Sequence, residues 1–464
     1  MNANLRHVLF LASVAAIGGI LFGYDTAVIS GTIGSVTDLF ELDTIQQGWY
    51  VGCALIGSIL GVSAAGTLSD GIGRKLTMLI SAVLFSISAI GCALCADFTQ
   101  LVIYRIIGGI GIGIVSIVSP IYISEISPAE RRGTMVSLYQ LAVTVGFLLA
   151  YIVNYFIATG AENTQYSSEF MKWLFSDQMW RGMLGSETIP AILFLVIILL
   201  IPESPRWLIL RGLTDKASGV LLKIYPSEKT VKEQIEITKA SIGSNVQSQW
   251  KELLSPGIFK AVIIGSSIAI LGQFMGVNAV LYYGPSIFEE AGLSGGDSMF
   301  SQVLVGTVNM LTTILAVFII DKVGRKKLIY YGVSGMILSL IMISLHFSFS
   351  KEWQLSNGFM LTFFLLYVFC CAISISAVVF VILSEMYPNN IRGRAMSIAG
   401  LSLWIGTYLI GQLTPWLLKT ATPAGTFVIF AIMCIPYILI MWKAVPETTG
   451  KSLEEIERYW KIKH

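Results

Sequence analysis

Residues 70–75 read "DGIGRK" and residues 321–327 read "DKVGRKK". Each is a short charged turn between two apolar runs. Each is followed, one further pair of apolar runs along the chain, by a second charged tract: "SEISPAERRG" at 124–133 and "SEMYPNNIRG" at 384–393. Glu125 precedes Arg132 by the same interval as Glu385 precedes Arg392. The chain is therefore written twice, as two halves of six apolar runs with matching charges at matching places. Such a repeat in a membrane chain implies two similar helix bundles with a cavity between them, the architecture of alternating access.

The composition supports a membrane chain. Of 464 residues, 55% are hydrophobic and 12% charged, whereas a soluble chain carries about 25% charged residues. The long apolar runs and the deficit of charge give a polytopic membrane protein. A formal net charge of +2 argues for no polyanionic partner, and no basic, aromatic-interleaved patch points to nucleic acid. Hydropathy places twelve spans of about 20 residues, at 8–32, 46–68, 76–96, 100–123, 134–158, 183–201, 258–285, 300–320, 327–349, 359–384, 394–418 and 424–444. The first is too long for the apolar core of a signal peptide and is read as an uncleaved span. The expected domains are an N-terminal bundle at 1–201, a linker at 202–257 with short intracellular helices, a C-terminal bundle at 258–444 and a tail at 445–464. Counting Lys and Arg by alternate loops puts about 25 on one side and about 4 on the other, with one inside a span. Both termini and the linker are thus expected in the cytoplasm. The six cysteines, Cys53, Cys92, Cys95, Cys370, Cys371 and Cys434, fall in apolar runs and read as small packing residues. Cys92 and Cys95 have zinc-like spacing but no second ligand pair.

The same motifs carry a resemblance. "GTLSDGIGRK" resembles the loop signature of the major facilitator superfamily, and "YRIIGGIGIG", "PESPRWL" (202–208) and "PETTGKSLEE" (446–455) resemble its sugar porter family. Within that family the likeness is strongest to the bacterial proton-coupled xylose symporters and more distant to the animal facilitative glucose transporters. It runs from about Val8 to the C-terminal tail. It implies an all-α, twelve-helix transporter of the major facilitator fold that binds one monosaccharide near the bilayer midplane.

Charges at the motif end have work beyond orientation. Asp70, Arg74, Glu125, Arg132, Arg325, Glu385 and Arg392 sit at span ends, where ion pairs would form and break between two conformational states. A network of such pairs matters more than any one exposed pair. The resemblance implies the same gating role and adds Glu203 and Arg206 of "PESPR".

Asp25, in "GYDTAVISG", lies about 17 residues into the first span, roughly 25 Å from its start. A carboxylate in hydrocarbon costs about 2.5–3.5 kcal/mol even on the mildest scale. Arg105 of "LVIYRIIGG", in a span of opposite direction, falls on the same side of the bilayer and can pair with it. Burial favours the protonated acid and a nearby guanidinium favours the carboxylate. A motion that changes their separation would therefore take up and release a proton. The resemblance implies proton coupling for both residues, because the facilitative transporters carry a neutral amide at the first position. A structural ion pair is the rival reading.

A sugar needs neutral donors and acceptors and an aromatic surface. By resemblance, Gln140, Gln273, Asn278, Tyr282 and Asn309 would meet sugar hydroxyls, with Phe22, Phe380 and Trp404 lining the pocket. The seventh span, with Gly272, Gly276, Gly284 and Pro285, can bend as an outer gate. Three positions depart from the xylose symporters. Gly272 stands for a glutamine, Phe380 for a tryptophan and Leu403 for a glutamine, while "AISISAVVF" replaces a Gly-Pro-rich turn. Each lost donor can shift discrimination between sugars.

The expected function is import of a pentose or hexose with a proton, with no cofactor other than that coupling ion. The alternatives are an uncoupled sugar facilitator and a proton-coupled polyol or cyclitol transporter. A nutrient sensor on the same scaffold would need an added signalling tail. Enzyme activity is not expected. "GGIGIG" (108–113) sits mid-span, and "GKS" (450–452) has Val445 where a P-loop needs glycine, so no ATP site is expected. The expected partners are a monosaccharide and the lipid bilayer, with no nucleic acid. The expected unit is a monomer, spanning the inner (plasma) membrane many times.

Overall fold

The computed structural model describes residues 4–163, 168–242, 253, 255–387 and 391–447. Part of the expected linker and most of the "PETTGKSLEE" tail lie outside the described residues.

Long runs of Leu, Ile, Val, Phe and Ala without backbone-breaking pairs can satisfy their peptide groups in hydrocarbon only as helices. Twelve helices are long and apolar enough to cross a membrane: Leu5–Gly31, Thr44–Ile72, Arg74–Leu94, Phe98–Ile126, Arg132–Ala161, Met179–Leu200, Gly257–Glu290, Gly295–Ile320, Arg325–Phe349, Asn357–Met386, Arg392–Thr420 and Thr422–Lys443. All twelve expected spans are present, and no strand occurs among the described residues. Polar residues fix several starts. Asp97 accepts from the Gln100 N–H at 2.9 Å, and Ser294 and Ser356 act likewise at the eighth and tenth spans, the usual satisfaction of free N–H groups at a helix start. The region 202–256 carries the expected short helices, Pro205–Leu210, Thr214–Ile224 and Glu228–Ile242. A further short helix, Ile33–Phe40, follows the first span.

The duplicated turn has one backbone shape. Gly73 and Gly324 have φ of +100° and +95°, a conformation that a side chain disfavours. This explains the shared glycine of "DGIGRK" and "DKVGRKK". The glycines of "YRIIGGIGIG" do another job. A Cβ on Gly109 or Gly113 would strike the carbonyls of Ala54 and Ser58, so the second and fourth spans touch backbone to backbone.

The seventh and tenth spans depart from regular helix. The seventh span breaks at Gly276, φ +90°, into Pro256–Phe274 and Val277–Glu290. The tenth contains a π-helical turn at Ala372–Ser376, in "AISIS", where the Gly-Pro-rich turn is missing. Such turns accommodate an extra residue and favour functional regions.

The chain divides into two compact units, one of residues 1–32 and 53–245, the other of 33–52 and 246–464. The segment Ile33–Gly52 thus belongs with the second unit, and the three short helices belong with the first. All six cysteines are buried and unbridged.

Candidate functional site

In the first unit, Asp25 and Arg105 meet directly. Arg105 Nη1 donates to Asp25 Oδ1, and Arg105 and Asp25 are 2% and 0% exposed. The two residues that the sequence pairs therefore meet in three dimensions. The first span supplies Asp25 and the fourth supplies Arg105. The pair has room because residue 108 lacks a side chain: a Cβ there would stand 3.0 Å from Asp25 Oδ2 and 2.5 Å from Ser88 Oγ. Asp25 Oδ2 is buried and accepts no hydrogen bond. It is the oxygen with a lone pair to spare for a proton.

A second acid was missed in the sequence. Glu187, at the start of helix Thr188–Ile197 in the sixth span, is 2% exposed. Its Oε1 has no hydrogen-bond partner. Its neighbour Ser186 lies 2.6 Å from the Tyr24 hydroxyl, next in sequence to Asp25. Ser186 Oγ also lies 2.5 Å from the Met183 carbonyl, a group that can only accept. The proton between Tyr24 and Ser186 therefore comes from Tyr24. The signal was available, since Glu187 is an acid inside an apolar run.

Neutral amides gather in the second unit. Asn278 Nδ2 donates to Gln273 Oε1 at 2.7 Å across the break at Gly276, and Thr407 Oγ1 lies 3.2 Å from the same oxygen. Trp404 stands one turn before Thr407 and is buried, as is Tyr282. Asn309 and, in the first unit, Gln140 make no side-chain hydrogen bond to protein among the described residues, while Phe22 is half-buried. Phe380 is 47% exposed. A Cβ on Gly272 would meet Ile375 at 3.4 Å and Tyr437 at 3.8 Å, both ordinary contacts. The buried hydroxyl of Tyr437 has no hydrogen-bond partner.

At the motif end, the matched charges pair within each unit. Arg74 Nε and Nη2 donate to the two oxygens of Glu125 at 3.0 and 3.1 Å, and Arg74 also pairs with Asp70 at 3.1 Å. Arg325 donates to Glu385 at 2.9 Å. Glu125 and Glu385 thus pair with the arginine of the turn motif. Arg132 and Arg392 instead reach the carbonyls of Ser124 and Tyr387. Glu203 accepts from the N–H groups of Arg74 and Lys75 at 2.9 and 3.1 Å, capping the third span. Lys75 donates to the Leu199 carbonyl at 2.8 Å and Lys326 to the Val445 carbonyl at 2.9 Å. The repeat therefore extends to the ends of the sixth and twelfth spans. Arg206 is exposed and forms no ion pair among the described residues.

Comparison with known proteins agrees with this layout. The family described as "Sugar (and other) transporter" matches residues 11–460. The arabinose-proton symporter of Bacillus subtilis and the D-xylose-proton symporter of Escherichia coli are each 38% identical to this chain, covering 98% of it and 96% of their own length. The solved xylose transporter of Escherichia coli, in an inward-open conformation, superposes with a TM-score of 0.84 at 36% identity, over 98% of this chain and 100% of the other. The same transporter bound to 6-bromo-6-deoxy-D-glucose gives 0.79. With the duplicated turns, the twelve spans and these matches together, the chain belongs to the sugar transporter family, on the major facilitator fold.

Proposed function

We propose that this chain imports a monosaccharide, a pentose or a hexose, together with a proton by alternating access. The observation that carries the reading is the buried contact between Asp25 of the first span and Arg105 of the fourth. The guanidinium favours the carboxylate while the two are paired, and burial favours the protonated acid once they part. A motion that changes their separation therefore takes up and releases a proton. Asp25 Oδ2 is the place for that proton, since it accepts no hydrogen bond. A facilitator needs no such pair. The naming of relatives as proton symporters for arabinose and xylose supports the same reading.

Sugar recognition falls to Phe22 and Gln140 in the first unit and to Gln273, Asn278, Tyr282, Asn309, Phe380 and Trp404 in the second. Gln273 and Asn278 hold each other across the seventh-span break, so sugar binding and the posture of that span are connected. Residues 277–290 then serve as the outer gate. Asp70, Arg74, Glu125, Arg132, Glu203, Arg206, Arg325, Glu385 and Arg392 form the cytoplasmic gate. The Lys and Arg distribution supports a cytoplasmic position for both termini and the 202–257 region, and the twelve apolar helices with the bacterial symporter relatives support the inner (plasma) membrane. The unit is a monomer, driven by the proton gradient without ATP or another cofactor.

The test is direct proton counting. In lipid vesicles containing the purified protein and a trapped pH-sensitive dye, an inward sugar gradient should acidify the lumen in step with sugar entry. Sugar entry without acidification would rule out coupling.

A further inference from the structure

Within the half-helix Val277–Glu290 lies Pro285. Proline has no N–H, so it brings no helical hydrogen bond to the carbonyl of residue 281. A side chain supplies a donor instead. Gln302 of the eighth span, 1% exposed, donates through Nε2 to the Leu281 carbonyl at 3.1 Å and to the Val280 carbonyl at 3.3 Å. The amide can sit only this way round, because the reverse would face its oxygen against two carbonyl oxygens. Its Oε1 occupies the place that a Cβ on residue 284 would take, and that residue is Gly284. Glycine, proline and glutamine thus form one device: the proline removes a backbone bond, the glycine opens a slot, and the glutamine fills the slot.

We propose that Gln302 is a positioning residue of the outer gate, its amide replacing the hydrogen bond that Pro285 deletes from the seventh span. A backbone bond inside a helix breaks only when the helix unwinds. A bond lent by a neighbouring span breaks when the two spans slide apart, so the half-helix can swing without losing its turns. Two other irregular places in this unit are served in the same way. The Tyr367 hydroxyl donates to the Met275 carbonyl at 2.7 Å, beside the Gly276 break. The Tyr283 hydroxyl donates to the Gly411 carbonyl at 2.6 Å, four residues before Pro415, again a position to which proline brings no N–H. The proposal rests on the reading of residues 277–290 as a moving gate in a sugar carrier.

A double-mutant cycle on sugar counterflow, which needs no proton gradient, tests it. Gln302→Met keeps the length and removes the donor. Pro285→Ala restores an N–H to the chain at the point where the amide is otherwise needed. In the Pro285 background, Gln302→Met should change the exchange rate or the KM for sugar by about 5-fold, and in the Pro285→Ala background by less than about 1.5-fold, the mark of coupled residues. Equal factors in the two backgrounds would overturn the proposal, as would a lowered Tm with unchanged counterflow kinetics. If Gln302→Met does not fold alone, recovery of folded, exchanging protein by adding Pro285→Ala supports it, and failure to recover overturns it. Absence of sugar counterflow in the unaltered protein would overturn this proposal and the transport reading together.

Discussion

Gly108 and Asp25 are packed against each other so closely that a Cβ on the glycine would stand 3.0 Å from Asp25 Oδ2. The glycine belongs to the fourth span, the span that also supplies Arg105. One helix therefore delivers both the partner of the carboxylate and the space for it. Gly108→Ala should crowd the oxygen proposed to carry the proton and press on Ser88 as well. Sugar accumulation against a gradient should fall about ten-fold, because small displacements at a reacting centre have large effects on rate. Gly66→Ala, with nothing within 4 Å of the added carbon, should leave accumulation unchanged. Uptake assays on the two variants, at matched amounts of folded protein, decide the matter.

Arg105 holds Asp25 in a fully buried pair, so the two should not be independent in stability. Removing one partner of such a pair costs about 3–5 kcal/mol, whereas replacing both by neutral groups can cost little. Arg105→Met should therefore lower the thermal midpoint of the detergent-solubilised protein. Adding Asp25→Asn should restore much of the loss. A double variant less stable than either single one would show that the pair is not the dominant interaction there.

The duplicated turn gives a prediction with an internal comparison. Gly73 and Gly324 both have positive φ, so alanine at either should cost about 1–2 kcal/mol from backbone conformation. At Gly73 there is an added obstacle, since the new Cβ would run into the carboxylate of Glu203, which caps the third span. Gly73→Ala should be destabilised, and Glu203→Ala in the same chain should relieve part of the loss. Thermal unfolding of the single and double variants reads this out.

Much of the architecture could be read before any coordinates, for physical reasons. Hydrocarbon forces long apolar helices, so the spans are written in composition. The repeat is carried by local motifs such as "DGIGRK" and "SEISPAERRG", whose glycines and charges sit where the chain turns. Asp25 and Arg105 were matched because depth in a bilayer is simple arithmetic along a helix. What depends on helix rotation and neighbours was not legible. The interval between Glu125 and Arg132 is shared by both halves, yet Glu125 pairs with Arg74, a residue remote in sequence. Glu187, an acid within an apolar run, carries a signal in sequence, but its nearness to the Tyr24–Ser186 hydrogen bond does not show there. Gln302 carries no mark in sequence. Its meaning comes from the Val280 and Leu281 carbonyls and the Gly284 slot that it meets on another helix.

In the proposed sugar pocket Gly272 stands where the resemblance implies a glutamine, and the surroundings of Gly272 make that difference testable. The position has ordinary contacts for a Cβ, and the nearby Tyr437 hydroxyl has no hydrogen-bond partner. Gly272→Gln should be accommodated and add an amide beside Gln273. Competition between pentoses and hexoses for uptake should shift by about ten-fold, the scale of one added hydrogen bond to a buried hydroxyl. Binding calorimetry with a panel of monosaccharides reads the change, and an unaltered order of affinities would place residue 272 outside the sugar's reach.

On the proposed mechanism Asp25 carries the coupling proton and is not merely half of a structural pair. Asp25→Asn keeps the shape and removes the titration. In vesicles with an imposed proton gradient, the variant should retain sugar counterflow near the unaltered rate while losing accumulation above the external concentration. Accumulation that persists in Asp25→Asn, still driven by the proton gradient, would show that Asp25 is not the proton carrier.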